Sequence, residues 1–324
     1  MKLLAAAASS ALLFAFTGPA GAHGENPAPT TISALSASVS GGEVSISGTA
    51  AFGGQAPVTV TEDPTGDAPV APELGSTTGV DLVAARMYVP NPASPNLVVE
   101  WEVTNLPDTG AIPEGTRYSL AFKVGTKEFQ VQAKFSNLAS VTTLDDPPGH
   151  VTNASKAFQI RGNCTTDYQG TGVAACPHLG WLTGEWDTAE NVVRVQVPLG
   201  SSFAPDIKGG AALERNTSSN ANLNAVIAGY QAFLALSPQT NDEAIFGPEE
   251  EETYAFVVPE KKVSFAIVPA GTPEANVVFG APATTGDSFS GTLSTAGLAP
   301  GSYDVYAKAC FASNCATAST PVTI

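Results

Sequence analysis

Three groups of residues have types and spacings that could do chemistry. The first is acidic: Glu62-Asp63-Pro64-Thr65-Gly66-Asp67, followed by Asp81. Asp63 and Asp67 share one tight turn and Asp81 opens the next segment, so three carboxylates can converge on Ca²⁺, a hard cation that takes oxygen ligands. The EF-hand spacing is absent, and Asp, Pro and Gly also make turns that hold no ion. The second group is aromatic. Trp181-Leu182-Thr183-Gly184-Glu185-Trp186-Asp187 holds two of the three tryptophans. In one regular strand residues five apart point to opposite faces, which sends one indole into the core and leaves the other exposed. An exposed indole beside Glu185 and Asp187, with Tyr168 nearby, would stack on the apolar face of a sugar ring while polar neighbours bond its hydroxyls. The competing reading packs both tryptophans, because Trp is highly buried on average. The third group is His23-Gly24. With cleavage after Ala22, His23 would offer an amine and an imidazole, and imidazole suits copper. A second histidine would have to come from His150 or His178.

Hydrolytic chemistry has thinner support. Gly286-Asp287-Ser288 echoes the G-D-S of some serine hydrolases, but no strand–Ser–helix elbow surrounds it. Glu185, Asp187 and Glu190 supply carboxylates for a glycosidase pair, yet nothing in their spacing sets two of them across a cleft. No HExxH, CxxC, P-loop or dinucleotide fingerprint in its proper context occurs.

The chain has 30 acidic and 14 basic residues, a formal net charge of −16. That balance opposes nucleic-acid binding, which needs a basic surface to neutralise phosphates. Residues 1–22 read as a signal peptide: Lys2, the apolar run Leu3 to Phe16, and the small-residue site Ala20-Gly21-Ala22. The expected product is secreted into the extracellular space, soluble, with no membrane insertion after cleavage. In that compartment four cysteines pair. Three connectivities exist, and spacing favours Cys164–Cys176 with Cys310–Cys315. Each would staple a local hairpin, contributing about 3 and about 2 kcal/mol respectively by loop-closure entropy.

The elements that must carry these residues are strands. Apolar and polar residues alternate in short runs ended by Gly, Pro, Asn or Asp. In 97–103, Leu97, Val99, Trp101 and Val103 share one face while Glu100 and Glu102 take the other. Tyr118, Leu120, Phe122 and Val124 repeat the pattern, as do Phe129, Val131, Ala133 and Phe135, and Val193, Val195 and Val197. Such strands, apolar on one side and wet on the other, belong to antiparallel sheets. The expected class is all-β, with two antiparallel β-sandwich domains. Residues 222–236 are the one stretch spaced for a helix, with Val226, Tyr230 and Phe233 on one face.

Leu298-Ala299-Pro300-Gly301-Ser302-Tyr303-Asp304-Val305 resembles the L-x-P-G-x-Y-x-V signature of fibronectin type III and related immunoglobulin-like domains. The resemblance implies that Tyr303 caps a corner at the start of strand F. Residues 261–324 alone supply about four strands where such a sandwich needs about seven. Residues 30–55 read like its first two strands, which makes 57–258 an insertion. The alternative order is beads on a string with a small N-terminal hairpin. The 57–258 region opens on the D-P-x-G-D and D-L of 63–67 and 81–82, which resembles the start of DOMON-like and glucodextranase C-terminal-like secreted sandwiches, a larger DOMON-like or jelly-roll fold. Some of those modules bind carbohydrate and some hold a structural calcium near this loop.

The expected function is a non-catalytic binding or structural module, its candidate partners being polysaccharide or a cell-surface glycan and its candidate cofactor Ca²⁺. The binding residues would be Trp181, Trp186, Tyr168, Glu185 and Asp187; the calcium ligands Asp63, Asp67 and Asp81. The alternatives are a secreted carbohydrate-active enzyme, either a copper oxidase built on His23 or a glycoside hydrolase, and a passive matrix protein with no small ligand.

Overall fold

A computed structural model describes residues 27–62, 82–106, 116–136, 155–162, 178–215, 224–227, 240–243 and 255–324. The signal segment 1–22, His23, Asp63, Asp67, Asp81, His150, Cys164, Tyr168 and Cys176 lie outside the described residues. The fold is all-β, and its ladders are antiparallel. The secondary structure thus follows the period-two pattern of the sequence.

Strands from both ends of the chain share one sandwich. Strands β1 (Thr31–Ser40) and β2 (Glu43–Ala51) form a hairpin. Its two-residue turn, Gly41-Gly42, takes φ of 61° and 83°, the left-handed pair that a type I′ turn demands. Strand β2 then pairs with β18 (Ser288–Ser294), from Thr49 opposite Ser288 to Glu43 opposite Ser294. The facing sheet runs β17 (Ala283–Thr284), β16 (Lys261–Pro269), β19 (Ser302–Phe311) and β20 (Asn314–Thr323). Val44 and Ile46 of β2 meet Tyr303 and Val305 of β19 and Val322 of β20 in the buried layer between the sheets. Burial alternates strictly along β19. A one-residue slip would turn Val305, Ala307 and Ala309 to solvent, so the register is firmly set.

The chain between these strands builds a second, larger pair of sheets. One sheet runs β10 (Thr183–Asp187), β11 (Val192–Pro198), β5 (Asn96–Val103), β4 (Leu82–Tyr88) and β3 (Val58–Glu62). The other runs β14 (Thr240–Glu243), β13 (Asn224–Ile227), β6 (Thr116–Val124), β7 (Lys127–Ser136), β8 (Ser155–Gly162) and β9 (His178–Trp181). Strand β12 (Ala212–Arg215) also pairs with β6, and β15 (Ala255–Val257) pairs with β12. Trp101, Tyr118 and Trp186 pack in a row through the core, tilted and then edge-on, at 6.2 Å and 5.4 Å between centroids. The helix expected at 222–236 is not formed over Asn224–Ile227, which is strand β13 held between β6 and β14. Pairing on both edges outweighs a weak 3.6-residue spacing in a β-branched segment; the remainder of that segment lies outside the described residues.

The two sandwiches meet where the chain crosses between them. Asn314, opposite Phe311 at the end of the β19–β20 hairpin, accepts the Thr30 N–H at Oδ1 (2.9 Å). Its Nδ2 donates to the carbonyls of Ala28 (2.9 Å) and Gly54 (3.1 Å). Thr30 Oγ1 donates to the Asn314 carbonyl and accepts the Gly53 N–H. On the far side of the crossing, Gln55 N–H donates to the Val89 carbonyl (2.9 Å), and Val89 N–H returns a bond to Gln55 Oε1 (3.1 Å). The fit leaves no room for a side chain: a Cβ on Gly53 would fall 1.7 Å from the Ala28 carbonyl oxygen, and one on Gly54 1.9 Å from that of Pro90. Phe311 is buried in the core of the larger sandwich, and Phe52 packs on both cores.

Candidate functional site

The expected pair of tryptophans does not sit on one strand. The chain breaks at Leu182, whose N–H donates to the Phe158 carbonyl (2.8 Å), and passes from β9 in one sheet to β10 in the other. Trp186 enters the core at 7% exposure, and Trp181 stays half-buried at the sheet edge. One indole is inside and one is partly outside, but the cause is a change of sheet and not strand alternation. Tyr168, expected beside them, lies outside the described residues.

Strand β9 gives Trp181 its setting. Gly180 faces inward, with Phe203 filling the space its Cβ would need (2.9 Å), so Trp181 turns to the opposite side. There it stacks with His178 at 4.6 Å between centroids. Trp181 is the cross-strand partner of Gln159, which in turn is opposite Gln132. The amides form a polarised row: Gln159 Nε2 donates to Gln132 Oε1 (2.7 Å), and Gln132 Nε2 donates to Gln130 Oε1 (2.8 Å). At the Trp181 end of this row the fully buried Gln159 Oε1 accepts no hydrogen bond, and neither does Ser119 Oγ on the same face. Buried acceptors are nearly always satisfied by protein or by ordered water, so Gln159 Oε1 is a position for an added donor, a water or a ligand hydroxyl. The row of amides offers both donors and acceptors to hydroxyl groups, and buried Arg161, the cross-strand partner of Gln130 and His178, stands beside it.

The carboxylates expected to flank the indoles do something else. Arg194 on β11 is almost fully buried and gathers Glu100 (2.8 Å), Glu185 (2.8 Å), Asp187 (3.2 Å) and Glu190. Asp187 Oδ1 accepts the N–H groups of Ala189 and Glu190, closing an Asx turn that presents Glu190 to the guanidinium. Arg86 on β4 bridges Glu100 (3.2 Å) and Glu102, and the Tyr88 hydroxyl donates to Glu100 (3.1 Å). Burial disfavours the charge on Arg194, but the hydrogen bonds it donates to Glu185, Glu100 and Glu190 outweigh that and hold the guanidinium above its ordinary value. Burial, reinforced by the Glu100 charge, raises the Tyr88 phenol; burial alone raises Tyr118. The sequence marks Glu185 and Asp187 as polar neighbours of a sugar. In the structure they serve a shared cation, and Glu100, read as solvent-facing, is fully buried at its centre. The three amides and Arg194 were not singled out from the sequence. Their signal is weak, since Gln130, Gln132 and Arg194 look like the wet side of alternating strands.

Among the described residues no group of three or more His, Cys, Asp and Glu is arranged to hold a metal ion. His178 is committed to the Trp181 stack. Asp287 of the G-D-S segment pairs with Lys261 (2.8 Å), and Ser288 opens strand β18. The Cys310–Cys315 disulfide is formed and joins paired residues of β19 and β20. The Tyr303 hydroxyl donates to the Ala299 carbonyl four residues upstream (2.8 Å). No family model, curated protein or solved structure matches this chain.

Proposed function

We propose that this is an exported, non-catalytic binding module of the extracellular space, and that its ligand is a carbohydrate held at Trp181. One observation carries the reading: a half-buried indole lies across the strand pair from Gln159, whose buried amide oxygen has no protein donor. A pyranose on the indole would reach that oxygen by displacing what covers it, and His178 packs against the same indole. Glu185, Asp187 and Glu190, the carboxylates a glycosidase would use, are engaged by Arg194, which favours binding over hydrolysis. The net charge of −16 favours a neutral glycan over an acidic one. The Tyr303 corner and the arrangement of β1, β2 and β18 against β16, β19 and β20 support an immunoglobulin-like or fibronectin III-like carrier.

Titration of tryptophan emission with a panel of soluble neutral and acidic polysaccharides tests this. A saturable change with a neutral glycan is expected, weakened at least tenfold in Trp181→Ala and in Gln159→Leu. Flat emission across the panel would overturn the assignment.

A further inference from the structure

We infer that the β19–β20 hairpin is a redox-sensitive lock on the junction between the two sandwiches, with the Cys310–Cys315 disulfide as its catch. The inference uses neither Trp181 nor the amide row, and it stands whether or not a glycan binds.

The hairpin tip holds the junction in three ways. Phe311 is inserted into the core of the larger sandwich. Asn314 ties the N-terminal segment, through Ala28 and Thr30, to the crossing chain at Gly54. Thr30 passes that hold on to Gly53. All three grips depend on the two-residue turn Ala312-Ser313 that sets Phe311 and Asn314 opposite each other. That turn is intrinsically poor. Ala312 has φ of 53°, a left-handed conformation that costs an L-residue with a Cβ and is normally given to Gly at this position. The neighbouring crosslink compensates, because Cys310 and Cys315 are the next residue pair below Phe311 and Asn314. Cys315 is exposed and Cys310 half-buried, so the bond is open to small thiols, and exposed disulfides are the labile class.

The trigger is a small thiol such as glutathione. Its thiolate attacks one cysteine sulfur, the S–S bond breaks and a mixed disulfide forms. A second thiol resolves that intermediate, leaving Cys310 and Cys315 as thiols and the reductant as its own disulfide. The turn then relaxes, Asn314 releases Gly54, and the crossing chain at 53–55 loosens while both cores stay folded.

Hydrogen–deuterium exchange on the full chain tests the lock. A Cys310→Ser/Cys315→Ser variant isolates this bond from the other cysteines. Exchange at the amides of Gly53, Gln55 and Val89 is expected to rise at least tenfold beyond any rise in β2 and β18, with β5 and β11 unchanged. Asn314→Ala, with the disulfide intact, is expected to produce the same local rise. Unchanged junction amides in either variant would overturn the lock, and so would a rise at the junction no larger than that along β16, β19 and β20, which would make the bond only a general staple. In a parallel arm, native wild-type protein is treated with glutathione and alkylated. Labelling of Cys310 and Cys315 is expected by mass spectrometry, and its absence would overturn the redox control.

Discussion

Arg194 is the residue on which the larger sandwich's polar interior turns. Glu100 is fully buried, and Arg194 and Arg86 both balance its charge. Arg194→Ala is expected to destabilise the protein by about 3–5 kcal/mol, because it strands buried carboxylate charge. Lys127→Ala removes the exposed pair with Asp206 and is expected to cost less than about 1 kcal/mol. Urea unfolding of the two variants checks the contrast. The tyrosines set an alkaline limit. Tyr88 and Tyr118 have phenols raised above the ordinary value of 10.0, so the unfolded chain loses those protons first. Above pH 10 the folded state binds more protons than the unfolded state, and stability falls as pH rises, by about 1.4 kcal/mol per pH unit for each tyrosine. Urea midpoints at pH 9, 10 and 11 measure the slope, and Tyr118→Phe is expected to halve it. Glu100 shows why such residues escape sequence reading. Alternation along β5 correctly assigns it to the side away from Trp101, but a period reports only which face a side chain takes. What covers that face is decided elsewhere in the chain.

At the level of elements, strands were legible wherever one face is apolar, as in β5, β6, β11 and β19. The break between β9 and β10 was not, because the glycines flanking Leu182, Gly180 and Gly184, lie inside the strands and mark close packing against Phe203 and Phe158, not a change of sheet. Residues 224–227 failed for a related reason: a short β-branched run fits helix and strand spacing alike, and its partners β6 and β14 decide. The β19–β20 hairpin was legible from its cysteines, and two contributions there can be separated. Tyr303→Phe removes the bond to Ala299 and is expected to cost about 1 kcal/mol. Loss of the Cys310–Cys315 crosslink is expected to cost about 2 kcal/mol through loop-closure entropy. Thermal melts of the single and combined variants are expected to add, since the two sites lie at opposite ends of β19.

For the molecule as a whole, the crossing points of the chain are neighbours. Lys261, which opens β16, places its ammonium 5.6 Å from the centre of the Phe52 ring at the end of β2. A short Gly/Ser linker replacing 57–258 is therefore expected to leave the terminal sandwich able to fold. Phe311→Ser in the same protein removes the apolar side chain left exposed by the deletion, while Phe52 is kept because it also packs on the terminal core. A cooperative melt with a strand-type circular-dichroism spectrum is the expected outcome. Counting strands in the sequence finds four in 261–324 and two near the N-terminus. The β2–β18 ladder sets these groups in facing sheets. No local pattern announces the clamp formed by Asn314, Thr30 and Gly54, whose three members are spread over 284 positions.

The β2–β18 ladder also dictates an order of events during synthesis. The hairpin of β1 and β2 emerges first, yet its lasting partner is among the last segments made. The larger sandwich can close while the early hairpin waits with an unpaired edge, as domains fold in sequence when a chain is delivered end first. Nascent chains halted before Ser288 would keep 31–51 open to protease, and completing the chain would shut that window.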